Sequence, residues 1–399
     1  MKPHELLGQL SVLHQMMAHL MESIPEADAY TSYHPALPPL AWLYGRAAYL
    51  ETYWLREVVL GDGDLSARVR PLFGHDVQAD GVMAQLPPRD HLLNWALELQ
   101  EHNLTLLANP SLLPAHPLVR EERLLPLIVQ QEAVLCEQML AQLSERGLSE
   151  QYDYRVSALL QALPPSAEHA DVQQGHYRIG AKPDDPTARD NELPTQVVEL
   201  HAFRIDRHPI RNGAWLGFMN DGGYDRQELW SEAGWQWRQQ HTPHPHHWRR
   251  DDAGHWYGVG LNGPFDLVAE DAVSGIGLHE ALAYANWAAT QGELFAGAVL
   301  QHEYQWEIAA RTEAISDYGR VWEWCANPFH SYTGYAAPEQ AEAADSDYDG
   351  NHHALRGGSL HTQRIQRRTS YRNHAAPDQR CFFSGARLVF PPSKMPWHK

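Results

Sequence analysis

From Gly319 to Phe390 the aromatic and β-branched residues stand in short groups, each broken by Gly, Asn or Pro before a long regular element can form. The groups are Gly-Arg-Val-Trp-Glu-Trp-Cys-Ala-Asn (319–327), Leu-Arg-Gly-Gly-Ser-Leu (355–360), Ser-Tyr-Arg-Asn (370–373) and Phe-Ser-Gly-Ala-Arg-Leu (383–388). Aromatic and β-branched side chains suit a pleated surface, while Gly, Asn and Pro turn the chain. The stretch therefore reads as an irregular, turn-rich β fold with little helix. Trp322 and Trp324 are two apart, the period of a strand, and Gly357-Gly358 permits backbone geometry closed to other residues.

The amino-terminal part has the opposite signature. Leu6, Leu10, Leu13, Met16/Met17 and Leu20 recur every three to four residues, the spacing of an amphipathic helix. A second helix begins after Pro38-Pro39, where prolines are well placed, and carries Leu40, Leu43, Ala47, Leu50 and Trp54. A third is expected over about 90–108 and a fourth over about 118–148, and four such helices predict an antiparallel bundle. A shorter helix at 152–163 leads out of it. The expected division is a helical bundle over 1–163, a Pro/Ser/Ala linker over 164–176 and a second domain over 177–399, with helical segments at 277–287 and 303–310. The fold class is α+β.

Formal net charge is −19 without any long Lys/Arg cluster, which argues against nucleic acid or an anionic membrane as the main partner. No apolar run approaches the ~18 residues that span a bilayer, and the first residues lack the shape of a signal peptide, so a cytoplasmic protein is expected. Cys136, Cys325 and Cys381 are far apart and outside metal-binding spacings; they read as reduced, mostly buried thiols.

In their order and spacing, the groups of 319–390 resemble the C-terminal domain shared by formylglycine-generating enzymes and the sulfoxide synthases of ergothioneine and ovothiol biosynthesis. Tyr177-Arg-Ile-Gly180, Ala188-Arg-Asp-Asn-Glu192, Phe218-Met-Asn-Asp-Gly-Gly-Tyr224 and Leu229-Trp-Ser-Glu-Ala-Gly-Trp235 resemble the sulfoxide synthase branch in particular, so the resemblance covers nearly the whole chain. It implies a DinB-like four-helix bundle, a C-type-lectin-like domain and an active site in the cleft between them.

That family holds a facial three-histidine iron site, with one ligand from the second helix and a His-x-x-x-His pair from the fourth. Positions i and i+4 share a helical face, so two imidazoles converge on one ion. This chain departs at all three places: Arg46 takes the first position, and Gln131 and Leu135 take the pair. An amide is a weak donor and an isobutyl group none, so no metal is expected at the family iron site. Arg46 carries a fixed charge there and is expected to pair with Glu132 or with the carboxylate of a bound ligand; the other reading is an Arg at the rim of a decayed site.

The formylglycine-generating relatives use two cysteines after the Arg-Gly-Gly-Ser group. Thr362 and Arg367 stand at the comparable positions, so that copper-dependent chemistry is not expected. Tyr371, Arg372, Asn373 and Arg380 resemble the part that lines the substrate cleft, with Arg380 matching an Arg that grips a cysteine-containing substrate and Ala375 or Ala376 where an Asp is expected. Tyr371 and Arg372 equally read as packing of the lectin-like core. The cleft candidates are thus Arg46, Gln131, Glu132, Tyr371, Arg372, Asn373 and Arg380, and no residue is assigned a catalytic step.

Two further clusters look metal-like. His241-Thr-Pro-His244-Pro-His246-His247 is kept extended by its prolines and reads as an exposed loop whose imidazoles do not converge. Asp345, Asp347 and Asp349 alternate before Gly350 as in a calcium loop, but Arg356 stands where an EF-hand needs Glu. A simple structural calcium site competes there with a solvated acidic loop, the reading that nearby Glu339 and Glu342 favour.

Two functions follow. The leading expectation is a divergent sulfoxide synthase paralogue without the three-histidine site, acting without a cofactor as a binder of a small amino-acid- or thiol-derived molecule, or as a protein partner. The alternative is a non-haem iron(II), oxygen-dependent enzyme that joins a histidine derivative to a thiol through a C–S bond, with ligands from elsewhere.

Overall fold

The computed structural model describes residues 2–343 and 348–392. Its amino-terminal half is built on four long helices: α1 (Pro3–Glu22), α2 (Leu40–Thr52), α3 (Arg89–Leu107) and α4 (Leu124–Ser149). The predicted stripe of α1 is buried at Leu6, Leu10, Leu13 and Met17. α2 touches α1, α3 and α4, which is why it is buried almost all round, and it continues into a π-helical turn over Tyr53–Val59. Such turns widen the helix and re-aim side chains.

Two helix expectations are corrected. α4 begins at Leu124 rather than near 118, because Glu122 adopts a left-handed φ of 56° that no helix continues through. Residues 152–163 form no helix. The N–H groups of Ser157 and Ala158 are taken by the Asp266 carboxylate and that of Leu163 by the Gly213 carbonyl, so this stretch lies irregularly across the second half of the chain.

The carboxy-terminal half holds β1 (His169–Val172), β2 (Phe203–Asp206), α5 (Leu278–Ala288), β3 (Val299–Leu300), α6 (Glu303–Arg311), β4 (Trp322–Pro328), β5 (His353–Arg356), β6 (Asn373–Ala375), β7 (Ser384–Ala386) and β8 (Leu388–Phe390). One sheet has the order β1-β2-β8-β3 and another β6-β5-β4-β7, in which β7 runs parallel to β4. The short strands match the turn-rich reading, and the helical segments at 277–287 and 303–310 form as α5 and α6. Trp324 is fully buried and its indole donates to the Ile276 carbonyl. Among the described residues no helix is long and apolar enough to cross a membrane. Cys136, Cys325 and Cys381 are free and buried.

Three of the carboxylates buried in this interior, Glu303, Glu307 and Glu323, are each met by an Arg. Arg387 forks onto Glu323 through Nε and Nη2 at 2.8 Å each, Arg372 onto Glu303 at 2.8 and 2.9 Å, and Arg356 pairs with Glu307. The pairs clamp α6 and β4 to the loops around the last strands. Removing one partner of a fully buried pair strands the other charge, so Arg387→Met should cost about 3–5 kcal/mol, and pairing it with Glu323→Leu should recover most of that. Urea denaturation of the single and double variants measures both.

The halves meet along α4. Leu140 and Ala141 pack with Leu37, Cys381 and Phe383, and Glu145 lies 2.9 Å from His246 and 3.9 Å from His247. The histidine loop is therefore not simply exposed: His247 is buried against the other half, because Glu145 and the Phe383 ring receive it. Burial, helped by neighbouring His246, Arg249 and Arg380, pushes the His247 imidazole down to about 3 against a weaker pull from Glu145. An unfolded His takes its proton near pH 6.5 while this one stays neutral, so stability falls as pH drops from about 6.5 towards 3, by up to about 1.4 kcal/mol per pH unit. Its Nε2 has no hydrogen-bond partner, so His247→Phe should flatten the loss of urea midpoint between pH 7 and pH 5.

Candidate functional site

Where α2 and α4 face the C-terminal half there is a cleft of about 380 Å³, within the size range of small-molecule sites. Arg46 and Leu50 of α2 and Gln131, Leu135 and Glu137 of α4 line it from the bundle, Trp322, Gln366, Tyr371 and Asn373 from the C-terminal half, and His75, His352 and His374 line it as well. The three positions singled out by the resemblance, Arg46, Gln131 and Leu135, thus line one cavity.

Arg46 does not pair with Glu132. Its guanidinium lies 2.9 Å from Oε2 of Glu342 and also donates to the Phe73 carbonyl. Oε1 of Glu342 accepts from the Tyr49 hydroxyl at 3.0 Å and the His75 N–H at 2.8 Å. Glu342 is only 8% exposed, which corrects its reading as part of a solvated acidic loop. Gln131 is committed in the same way. Its Oε1 accepts from the Trp54 indole at 2.7 Å, brought there by the π-helical turn, and its Nε2 donates to the Glu342 carbonyl at 2.6 Å. A guanidinium paired to a carboxylate, an amide engaged at both ends and an isobutyl group are not a ligand set for iron at these three positions.

Glu132, one residue on from Gln131, turns the other way, into the bundle, where it lies 3.3 Å from His14. Helical geometry sends adjacent residues to different faces. Arg380 also leaves the cleft wall: it lies 3.6 Å from Glu280, donates to the His244 carbonyl and covers the Trp237 ring. Tyr371 remains in the cleft, its hydroxyl receiving Gln366 at 3.0 Å and Arg189 at 3.3 Å. Arg372 serves both readings. It touches the cleft, while its guanidinium is forked onto Glu303 and lies over Phe329 and Tyr332. Asn373 opens β6 at the cleft wall.

Thr362, at a cysteine position of the formylglycine-generating relatives, donates instead to Glu137 at 2.9 Å, joined there by Ser359 and the Trp322 indole. Burial pushes the Glu137 carboxyl up, and these three donors pull the other way. Asp345 and Asp347 lie outside the described residues. Asp349 caps Asn351 and pairs with His352 at 3.0 Å. His241, His244 and His246 each take a different partner, the Trp237 carbonyl, the Pro245 carbonyl and Glu145. Among the described residues, one group of His, Cys, Asp and Glu gathers its ligand atoms within 4.8 Å, His14, Glu51 and Glu132, and it lies inside the bundle.

Glu342, Glu137 and His75 are cleft residues that sequence reasoning missed. The signal for Glu342 was the need of Arg46 for a carboxylate, but spacing cannot choose a partner 296 residues away among 50 Asp and Glu. If the pair holds the cleft as described, Arg46→Met and Glu342→Gln should each destabilise, and the double variant should lose less than the sum of the two single losses. A coupling of about 1–3 kcal/mol is expected from a urea double-mutant cycle.

Residues 160–318 match the family described as sulfatase-modifying factor enzyme 1-like domain. The hercynine oxygenase of Mycobacterium tuberculosis (strain ATCC 25618 / H37Rv) is 31% identical over 257 residues, 52% of this chain and 57% of that protein. The match thus spans little more than half of that relative. The hercynine oxygenase of Mycolicibacterium smegmatis (strain ATCC 700084 / mc(2)155) is 26% identical over 445 aligned positions, covering 96% of this chain and 98% of its own. Among solved structures, PvdO from Pseudomonas aeruginosa aligns over 60% of this chain and 99% of its own, with a TM-score of 0.41 at 16% identity.

Proposed function

We propose that this chain, which is similar to the hercynine oxygenases and carries a match to the sulfatase-modifying factor enzyme 1-like domain, is a divergent member of the sulfoxide synthase family, a cytoplasmic binder of a small amino-acid- or thiol-derived molecule whose cleft works without iron. The observation that carries this reading is the Arg46–Glu342 pair at the family's first ligand position, 2.9 Å long and closed by Tyr49 and His75. The pair makes that end of the cleft neutral, and it fills the first ligand position with a cation that cannot bind a metal.

The rest of the lining is polar and aromatic. Arg189 brings a guanidinium beside the Tyr371 hydroxyl, Asn373 and Gln366 offer amides, and Trp322 offers a flat apolar face. A guanidinium fork suits a carboxylate, and the amides suit the amide or amine of a short peptide. γ-Glutamylcysteine and trimethylated histidine have that chemistry. A protein partner bound over the same rim would use the same groups.

The test uses tag-free protein reconstituted anaerobically with ferrous iron. Oxygen uptake with γ-glutamylcysteine and trimethylhistidine should not exceed that of buffer, while either compound at millimolar concentration should raise the melting temperature by a few degrees, an effect that Arg189→Ala removes. Thiol-dependent oxygen uptake by a one-iron protein would overturn the reading in favour of a C–S bond-forming oxygenase. An unchanged melting temperature with both compounds would exclude them as ligands.

A further inference from the structure

The interior of the bundle holds a second polar cluster, separate from the cleft. His14 of α1, Glu51 of α2 and Glu132 of α4 converge there, exposed to 7%, 0% and 0%. The imidazole Nε2 is 2.7 Å from Glu51 and 3.3 Å from Glu132, and one ligand atom from each residue lies within 4.8 Å of the others. Residues one helical turn away, Leu10, Ala47, Leu55, Ile128 and Cys136, all belong to the apolar core.

As it stands the cluster is underpaired. Glu51 Oε1 and Glu132 Oε2 are buried without a hydrogen bond of their own, although buried acceptors almost always have one. Glu132 Oε2 lies 3.3 Å from an imidazole Nε2 that Glu51 already engages at 2.7 Å. With both carboxylates ionised, one imidazolium leaves a net negative charge in an apolar interior, where such a charge is very costly. The cluster therefore takes up either a proton, for which burial and Glu51 raise the Glu132 carboxyl, or a cation. A divalent cation with a neutral imidazole and two carboxylates sums to zero. It would also give both orphaned oxygens a partner.

We propose that His14, Glu51 and Glu132 bind one divalent first-row transition cation inside the bundle as a structural site. One nitrogen and up to four carboxylate oxygens make a mixed, borderline donor set. Calcium and magnesium take oxygen ligands and magnesium retains water, whereas manganese, ferrous iron and zinc accept imidazole with carboxylate. The site is closed, so the ion enters during folding and leaves slowly. It ties α1 to the two helices whose preceding residues, Leu50 and Gln131, line the cleft, and thereby sets the position of that wall. This inference is independent of what the cleft binds.

The experiment unfolds tag-free protein in guanidinium with a chelator and refolds it with manganese, zinc, cobalt or, without oxygen, ferrous iron. After desalting, metal is counted by mass spectrometry. About one ion per chain is expected with at least one metal, resistant to added chelator in the folded state and accompanied by a higher melting temperature than the metal-free refolded protein. Glu51→Gln and Glu132→Gln keep side-chain shape and should each hold at most about a tenth as much, whereas His241→Ala/His244→Ala in the histidine loop should hold as much as wild type. X-ray absorption on wild type alone, should the Gln variants fail to fold, must show nitrogen and oxygen neighbours without sulfur, unchanged by γ-glutamylcysteine. Refolding to the same melting temperature with less than about a tenth of an ion per chain would overturn the proposal and leave a shared proton holding the cluster. Metal retained in the Gln variants, or a spectrum that changes with thiol, would overturn it too, and the latter would move the metal to the cleft.

Discussion

A carboxylate withdrawn from water needs a cation, and in this protein that need recurs from end to end. Glu303, Glu307 and Glu323 are fully or nearly fully buried and are met by Arg372, Arg356 and Arg387. The planar fork of Arg can satisfy both carboxylate oxygens at once, which the point charge of Lys cannot. A chain with a net charge of −19 whose positive residues are mostly Arg has the composition this architecture requires. The short strands of the carboxy-terminal half bury little apolar surface each, and the ion pairs supply the geometry that fixes their loops.

The same constraint reaches across to the bundle through α4. One face of that helix presents Gln131, Leu135 and Glu137 to the cleft, another turns Glu132 towards His14, and its last turns carry Glu145 to His246 and His247. Cleft, bundle interior and contact between halves are therefore coupled through one rigid element. A displacement of α4 along its axis would disturb all three.

Periodicity was enough to read α1, α2 and α3, because their buried positions repeat every three to four residues with little interruption. It failed at 152–163, where Leu159, Leu160 and Leu163 mimic a helical stripe but Asp266 and Gly213 claim the backbone donors. Local pattern cannot report a competitor a hundred residues away. The site shows the same division. That Arg46, Gln131 and Leu135 share a cavity followed from helix geometry and resemblance, and so did Tyr371, Arg372 and Asn373 on the facing wall. The partner of Arg46 did not follow, nor did the direction of Glu132 and Arg380, since each depends on which face of an element meets which neighbour.

The Arg46–Glu342 pair also bears on how this sequence can change. A histidine at position 46 alone would leave Glu342 buried without its cation, a penalty of about 3–5 kcal/mol for a group of this kind. Removing Glu342 first leaves Arg46 in the same position. Each residue thus holds the other against substitution, and any route to a metal-binding cleft passes through a less stable intermediate or needs two coordinated changes before the positions of Gln131 and Leu135 matter at all. The pair works as an evolutionary ratchet: once both residues are in place, drift can vary the rest of the cleft more freely than it can undo them.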